Sequence, residues 1–241
     1  MSKLLLALQY WERDRGQAMR LAQLIADLEP RHNPDVDFLF TSRFDCEHDM
    51  KAIERISAKF KVHTYINRNR RGVGWPSGCN DLWFGTMDRI YSLVEARQMP
   101  EYEAILTFEA DCSPLSPYWH QALMISWRNA QKAKVVKMHG AMVPYPRPHI
   151  NGNALFAGDV PFLHEVSRKI GGCDPTQGWD FAKTLEFSRL GWSDCPLIKS
   201  YWQCATMPSE QIDQLITSGV TLLHGVKDDS VLEYVRKRFV H

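Results

Sequence analysis

The chain has 241 residues, 44% of them hydrophobic and 24% charged, with a formal net charge of +1. That composition suits a globular protein with ample core. Near-neutrality excludes any global case for nucleic acid or an anionic membrane as partner, leaving only local basic patches. Six cysteines (46, 79, 112, 173, 195 and 204) form no C-x-x-C pair and read as free thiols in a reducing compartment. Leu4–Leu8 is too short for a secretory segment and no apolar run approaches a membrane span, so a cytoplasmic location with no membrane partner is expected.

In chain order, Lys3–Leu8 reads as a buried strand and Arg15–Leu28 as a helix that ends before Pro30. Val36–Phe40 is a second strand, Glu47–Phe60 a second helix and Lys61–Ile66 a third strand. Asn67–Asn80 is a loop rich in Arg and Gly, Asp81–Arg97 a helix and Ala104–Phe108 the fourth strand. This alternation predicts an α/β fold: a Rossmann-related, mostly parallel central sheet flanked by helices. Ligands on such sheets bind outside the carboxyl ends of the strands. Gln9-Tyr10, Thr41–Arg43, Asn67–Asn80 and Glu109–Asp111 all fall there.

The second half is less regular. Tyr118–Lys132 reads as a helix, Lys134–Met138 as a strand, and Ala141–His149, with three prolines, as a loop or lid. Asn151–Gly158 is a short strand; Pro161–Ile170 and Trp179–Leu190 are helices. Pro208–Gly219 is a helix with Gly219 as its C-cap, and Thr221–Leu223 is a last strand ending at His224. With no repeat, low-complexity stretch or clear linker, one domain is expected.

The run Ile105-Leu106-Thr107-Phe108-Glu109-Ala110-Asp111-Cys112 carries the most chemistry. Glu109 and Asp111 point the same way at a strand end, where two carboxylates can hold a hard divalent cation and the cation a diphosphate. A strand followed by an Asp that caps the next turn has the same appearance. The chain has no G-x-G-x-x-G, no G-x-x-x-x-G-K-[ST], no G-x-S-x-G and no Cys/His cluster for zinc. A diphosphate must then be held by a metal and scattered basic residues.

Four segments in order resemble the GT-A fold glycosyltransferases of family 2 type, which are inverting. Asn69–Asn80 resembles the N-x-x-G…N loop of that family. Ile105–Asp111 resembles its D-x-D strand, with Glu109 in the first acidic place. Gly178–Trp192 resembles its E-D…R-L-x-x-x-G-W/Y segment, with Trp179 where Glu is usual, and Thr221–Lys227 its late strand whose His can complete the metal site.

The resemblance implies a nucleotide-sugar donor, most readily a UDP-sugar, and Mn²⁺ or Mg²⁺ on Asp111 and His224, with Glu109 reached through water. Asp180 is implied as the general base. Arg68 and Arg71, in a loop at the ligand edge, read from their own chemistry as a diphosphate clamp or an acceptor-phosphate contact, or as a solvated loop, and Lys227 as a phosphate partner or a solvated surface lysine. Gln9, Tyr10 and Arg13 fall near the nucleotide base, Asn80 and Asn153 beside the donor, and Trp179 against the acceptor. Residues 1–112 would form a nucleotide-binding half and 113–241 an acceptor-binding half.

The transferred group would be a hexose or pentose. The acceptor would be a glycan, a small molecule or, as in phage-like DNA modification, a modified DNA base. A nucleotidyltransferase would also use strand-end acids and a metal, and a non-catalytic sugar- or nucleic-acid-binding module could retain the same scaffold.

Overall fold

The computed structural model describes residues 3–69, 72–170 and 174–240. The first half alternates as its periodicity predicts: β1 (Leu4–Tyr10), α1 (Arg15–Leu28), β2 (Val36–Arg43), α2 (Met50–Ser57), β3 (Lys61–Asn67), α3 (Ser77–Glu95) and β4 (Tyr102–Glu109). β1 pairs in parallel with β2 on one side and β4 on the other, and β3 extends the sheet beyond β2. Every residue of β1 and β2 is buried, as strands covered on both faces require.

At the acid pair the chain changes sheets. Glu109 closes β4, and β5 (Cys112–Pro114) belongs to a second, three-stranded sheet. After α4 (Trp119–Ala133), β6 (Met138–Val143) and β7 (His149–Gly158) form an antiparallel pair, with β7 antiparallel to β4. Next come α5 (Val160–Glu165), a π-helical turn (Val166–Ile170), α6 (Trp179–Ala182), α7 (Thr184–Leu190) and β8 (Trp192–Asp194), which pairs in parallel with β6. The chain closes with β9 (Ile198–Cys204), α8 (Ser209–Thr217), β10 (Leu222–Val226) and α9 (Ser230–Phe239). The sheet orders are β3-β2-β1-β4-β7-β6-β8 and β5-β10-β9.

The α/β class with a central sheet flanked by helices is as expected; the second half refines it. Strand β6 starts where the expected 134–138 strand ends, and the prolines occupy only the β6–β7 connection. The single helix expected over Trp179–Leu190 is divided at Lys183. Asn80 lies inside α3, not in the loop before it. His224 lies within β10 instead of after it. Gly219 does close its helix: with φ +88°, its N–H bonds Ile216 O and the Val220 N–H bonds Leu215 O, each at 3.0 Å. No helix among the described residues is long and apolar enough to cross a membrane.

Candidate functional site

The change of sheet brings three potential ligands together. Glu109 comes from the end of β4, Asp111 from the crossing residues and His224 from the middle strand of the small sheet. His224 Nε2 lies 3.3 Å from Glu109 Oε2 and 3.4 Å from Asp111 Oδ1. The ligand atoms of all three fall within 4.8 Å of one another.

Local contacts fix each member. Ser200 Oγ of β9 sits 2.9 Å from His224 Nδ1, so the opposite ring nitrogen faces the acids. Gly225 donates its N–H to Asp111 O at 3.1 Å, and the β9–β10 register shifts between His224 and Val226. That irregularity requires glycine: φ is +97°, and a Cβ would lie 1.9 Å from Tyr201 O. Asn153 holds Glu109 twice. Its Oδ1 accepts the Glu109 N–H at 2.8 Å, and its Nδ2 donates to Oε2 at 3.3 Å. Lys227 donates to Asp111 Oδ2, leaving Oδ1 toward His224.

The electrostatics follow from burial and proximity. Burial disfavours a charged His224, but the hydrogen bond to Glu109 and the charge of Asp111 outweigh it and raise its pKa. For Glu109 burial acts upward, and the contact with His224 carries the pKa below the usual value. Burial also opposes the Lys227 ammonium, which Asp111 keeps protonated to higher pH. Two carboxylate oxygens and an imidazole nitrogen form a donor set that fits Mn²⁺ or Mg²⁺, the nitrogen favouring Mn²⁺.

Asp180 opens α6, and its side chain is fixed by backbone. Oδ1 accepts the Phe181 N–H at 2.9 Å and Oδ2 the Gly152 N–H at 3.1 Å. Burial raises its pKa against the pull of His149 and those two hydrogen bonds, with Glu109 adding to the rise. Asn80 positions the segment just before it: Nδ2 donates to Gln177 O at 2.9 Å, and Oδ1 accepts the Trp179 N–H at 2.8 Å.

Several expected contacts fall elsewhere. Trp179 is 6% exposed and stacks on Trp83 with ring centroids 3.6 Å apart. Core packing, not a free face for an acceptor, is what its ring provides. Tyr10 is likewise buried, with its hydroxyl 2.6 Å from His48 Nδ1. Asn153 and Asn80 act on Glu109 and on 177–179, as positioning residues. Arg13 is exposed, its guanidinium 5.1 Å from the Trp11 ring centroid, and Arg68 is exposed beyond β3. Arg71 lies outside the described residues. Gln9 is buried at the ligand edge and its Nε2 has no hydrogen-bond partner; Thr41 Oγ1, in register with it, is in the same position.

Sequence reasoning missed Asp14. Its Oδ1 accepts the Trp11 N–H at 2.7 Å, yet burial and the charges of Glu109 and Asp111 push its pKa up to about 7. Cys79 is pushed up to about 12 by burial and by Glu109 and Asp14, which makes it a neutral thiol in the same neighbourhood. Asp14 belongs to no motif, and Cys79 is a position of the Asn69–Asn80 segment to which no role attaches; the fold brings both near the acids.

The whole chain has known structural counterparts. Mouse xyloside xylosyltransferase 1 matches 95% of this chain with 99% of its own length, at a TM-score of 0.53 and 10% identity. The glycosyltransferase GlyE of Streptococcus pneumoniae TIGR4 matches 98% of this chain at TM-score 0.54 and 8% identity. The bifunctional glycosyltransferase WbbM matches 97% at 0.53 and 8%. The fold is a glycosyltransferase fold. The chain spans 61% of GlyE and 50% of WbbM. No family model and no curated protein matches the chain by sequence.

Proposed function

We propose that this protein is a metal-dependent glycosyltransferase that moves a hexose or pentose from a UDP-sugar to an acceptor hydroxyl with inversion. The observation that carries the reading is the convergence of Glu109, Asp111 and His224, with Lys227 against Asp111. A bound Mn²⁺ or Mg²⁺ would supply charge neutralisation for a departing nucleoside diphosphate. Lys227 adds a mobile ammonium that can exchange Asp111 for a phosphate oxygen.

Asp180 acts as the base. It takes the proton of the acceptor hydroxyl as that oxygen bonds to the anomeric carbon and the bond to the diphosphate breaks. Two backbone N–H groups hold the carboxylate in place, and the burial that raises its pKa makes it the stronger base. The chain acts as one unit, with the nucleotide on 1–112 and the acceptor on 113–241.

Calorimetric titration of UDP with and without Mn²⁺ tests the donor site. Binding should require the ion and be lost in Asp111→Asn. Asp180→Asn should retain that binding while transfer falls roughly 100- to 10,000-fold, the usual contribution of a general base. UDP binding that ignores both the ion and Asp111 would sink the proposal.

A further inference from the structure

Among the described residues, eight tryptophans are present and two are largely exposed: Trp75 at 67% and Trp202 at 76%. Indoles of this size are ordinarily covered, and exposed ones mark binding surfaces. These two touch. Their ring centroids are 6.1 Å apart and their planes meet at 69°. They come from distant parts of the fold, Trp75 from the connection between β3 and α3 and Trp202 from β9.

Both sides of the pair are held by fixed contacts, and the Trp202 side reaches the site. Ser200, two residues before Trp202, contacts His224, and the Tyr201 carbonyl packs against Gly225. On the other side, buried Arg43 donates to Gly72 O, and the Gly72 N–H is held by Asp81 Oδ2. The Gly78 N–H bonds Gly74 O at 2.6 Å across the tryptophan. The Trp202 side therefore rests next to a candidate metal ligand, and the Trp75 side on a backbone-held loop that meets it.

We infer that the Trp75–Trp202 corner is a stacking platform for a saccharide acceptor; this rests on the transferase reading above. A sugar ring has an apolar C–H side and a polar rim. Rings near a right angle offer it one indole face and one indole edge. With centroids 6.1 Å apart at 69°, no parallel slot exists between these two. A nucleic acid would also demand an extended phosphate footprint, which a chain of net charge +1 is poorly equipped to supply.

The test uses the full chain, its Trp75→Ala and Trp202→Ala variants and the double variant. Cellobiose, lactose, xylobiose and chitobiose are titrated against tryptophan emission, with a twelve-residue oligothymidylate as comparison. At least one disaccharide should change the emission saturably in the wild type, and its affinity should fall at least tenfold in the double variant. Mn²⁺-dependent UDP binding should stay within twofold, which also reports that the variants are folded.

The inference is overturned if no disaccharide responds, if the double variant binds as well as the wild type, or if only the oligothymidylate responds through the pair. If the wild type binds a disaccharide through the pair but never binds UDP, the transferase reading fails while the sugar platform stands.

Discussion

Asp37 offers a measurable account of how the sheet is held at the edge opposite the candidate site. Its side chain, at the start of β2, is fully buried. It accepts from Tyr102 at 2.8 Å and Lys3 at 3.1 Å, with His63 Nε2 at 3.4 Å. Burial pushes its pKa upward, but the hydrogen bonds from His63, Tyr102 and Lys3 prevail and lower it from 3.8 to about 2.

A folded-state value below the unfolded one contributes stability that is complete above the unfolded pKa and is lost as pH falls through the folded one. The difference of nearly two units corresponds to about 2 kcal/mol. Asp37→Asn removes the charge, leaves Lys3 without its anion and turns an amide toward donors, so at pH 7 it should cost about 2–4 kcal/mol. Urea denaturation of wild type and variant at pH 7, 4 and 2.5 checks this. The gap should be widest at pH 7 and 4 and narrow toward pH 2.5. A gap below about 1 kcal/mol at pH 7, or one that does not change with pH, would refute the reasoning.

Two further predictions concern the site. Asn153→Ala removes both contacts to Glu109 and should weaken Mn²⁺ binding roughly 10- to 100-fold, as loss of a ligand's supporting hydrogen bonds typically does; calorimetry with the ion alone reads this out. Gly225→Ala forces a side chain to φ +97° and onto the Tyr201 carbonyl. It should cost at least about 2 kcal/mol in a thermal or urea melt and weaken ion binding through the displaced His224; a neutral outcome would mean that the bulge is not needed.

The first half was legible because β1 and β4 are short apolar runs, β2 begins as one, and the helices carry a periodic face. The same simplicity made Glu109-Ala110-Asp111 visible at a strand end. Strand β9 was not legible: Ile198-Lys-Ser-Tyr-Trp-Gln-Cys204 places Lys199 and Trp202 outward and shows little apolar alternation. Helix α9 hides its buried Val231, Leu232 and Val235 among charges, including a basic last turn of Arg236, Lys237 and Arg238.

Asp14 and Cys79 could not be found from the chain alone, because what shifts their titration is burial and charges from other parts of the fold. Trp179 was read for its neighbour Asp180. Its ring faces Trp83 and its backbone meets Asn80, pairings that spacing does not reveal.

The three candidate ligands are divided between two sheets: Glu109 ends a strand of the large one, and His224 sits in the small one. A cation held between them would act as a clasp. Parting the sheets would then require giving up the ion, so its binding energy would be added to the cohesion of the whole molecule. The small sheet carries Trp202, so an empty clasp would leave that aromatic corner less firmly seated.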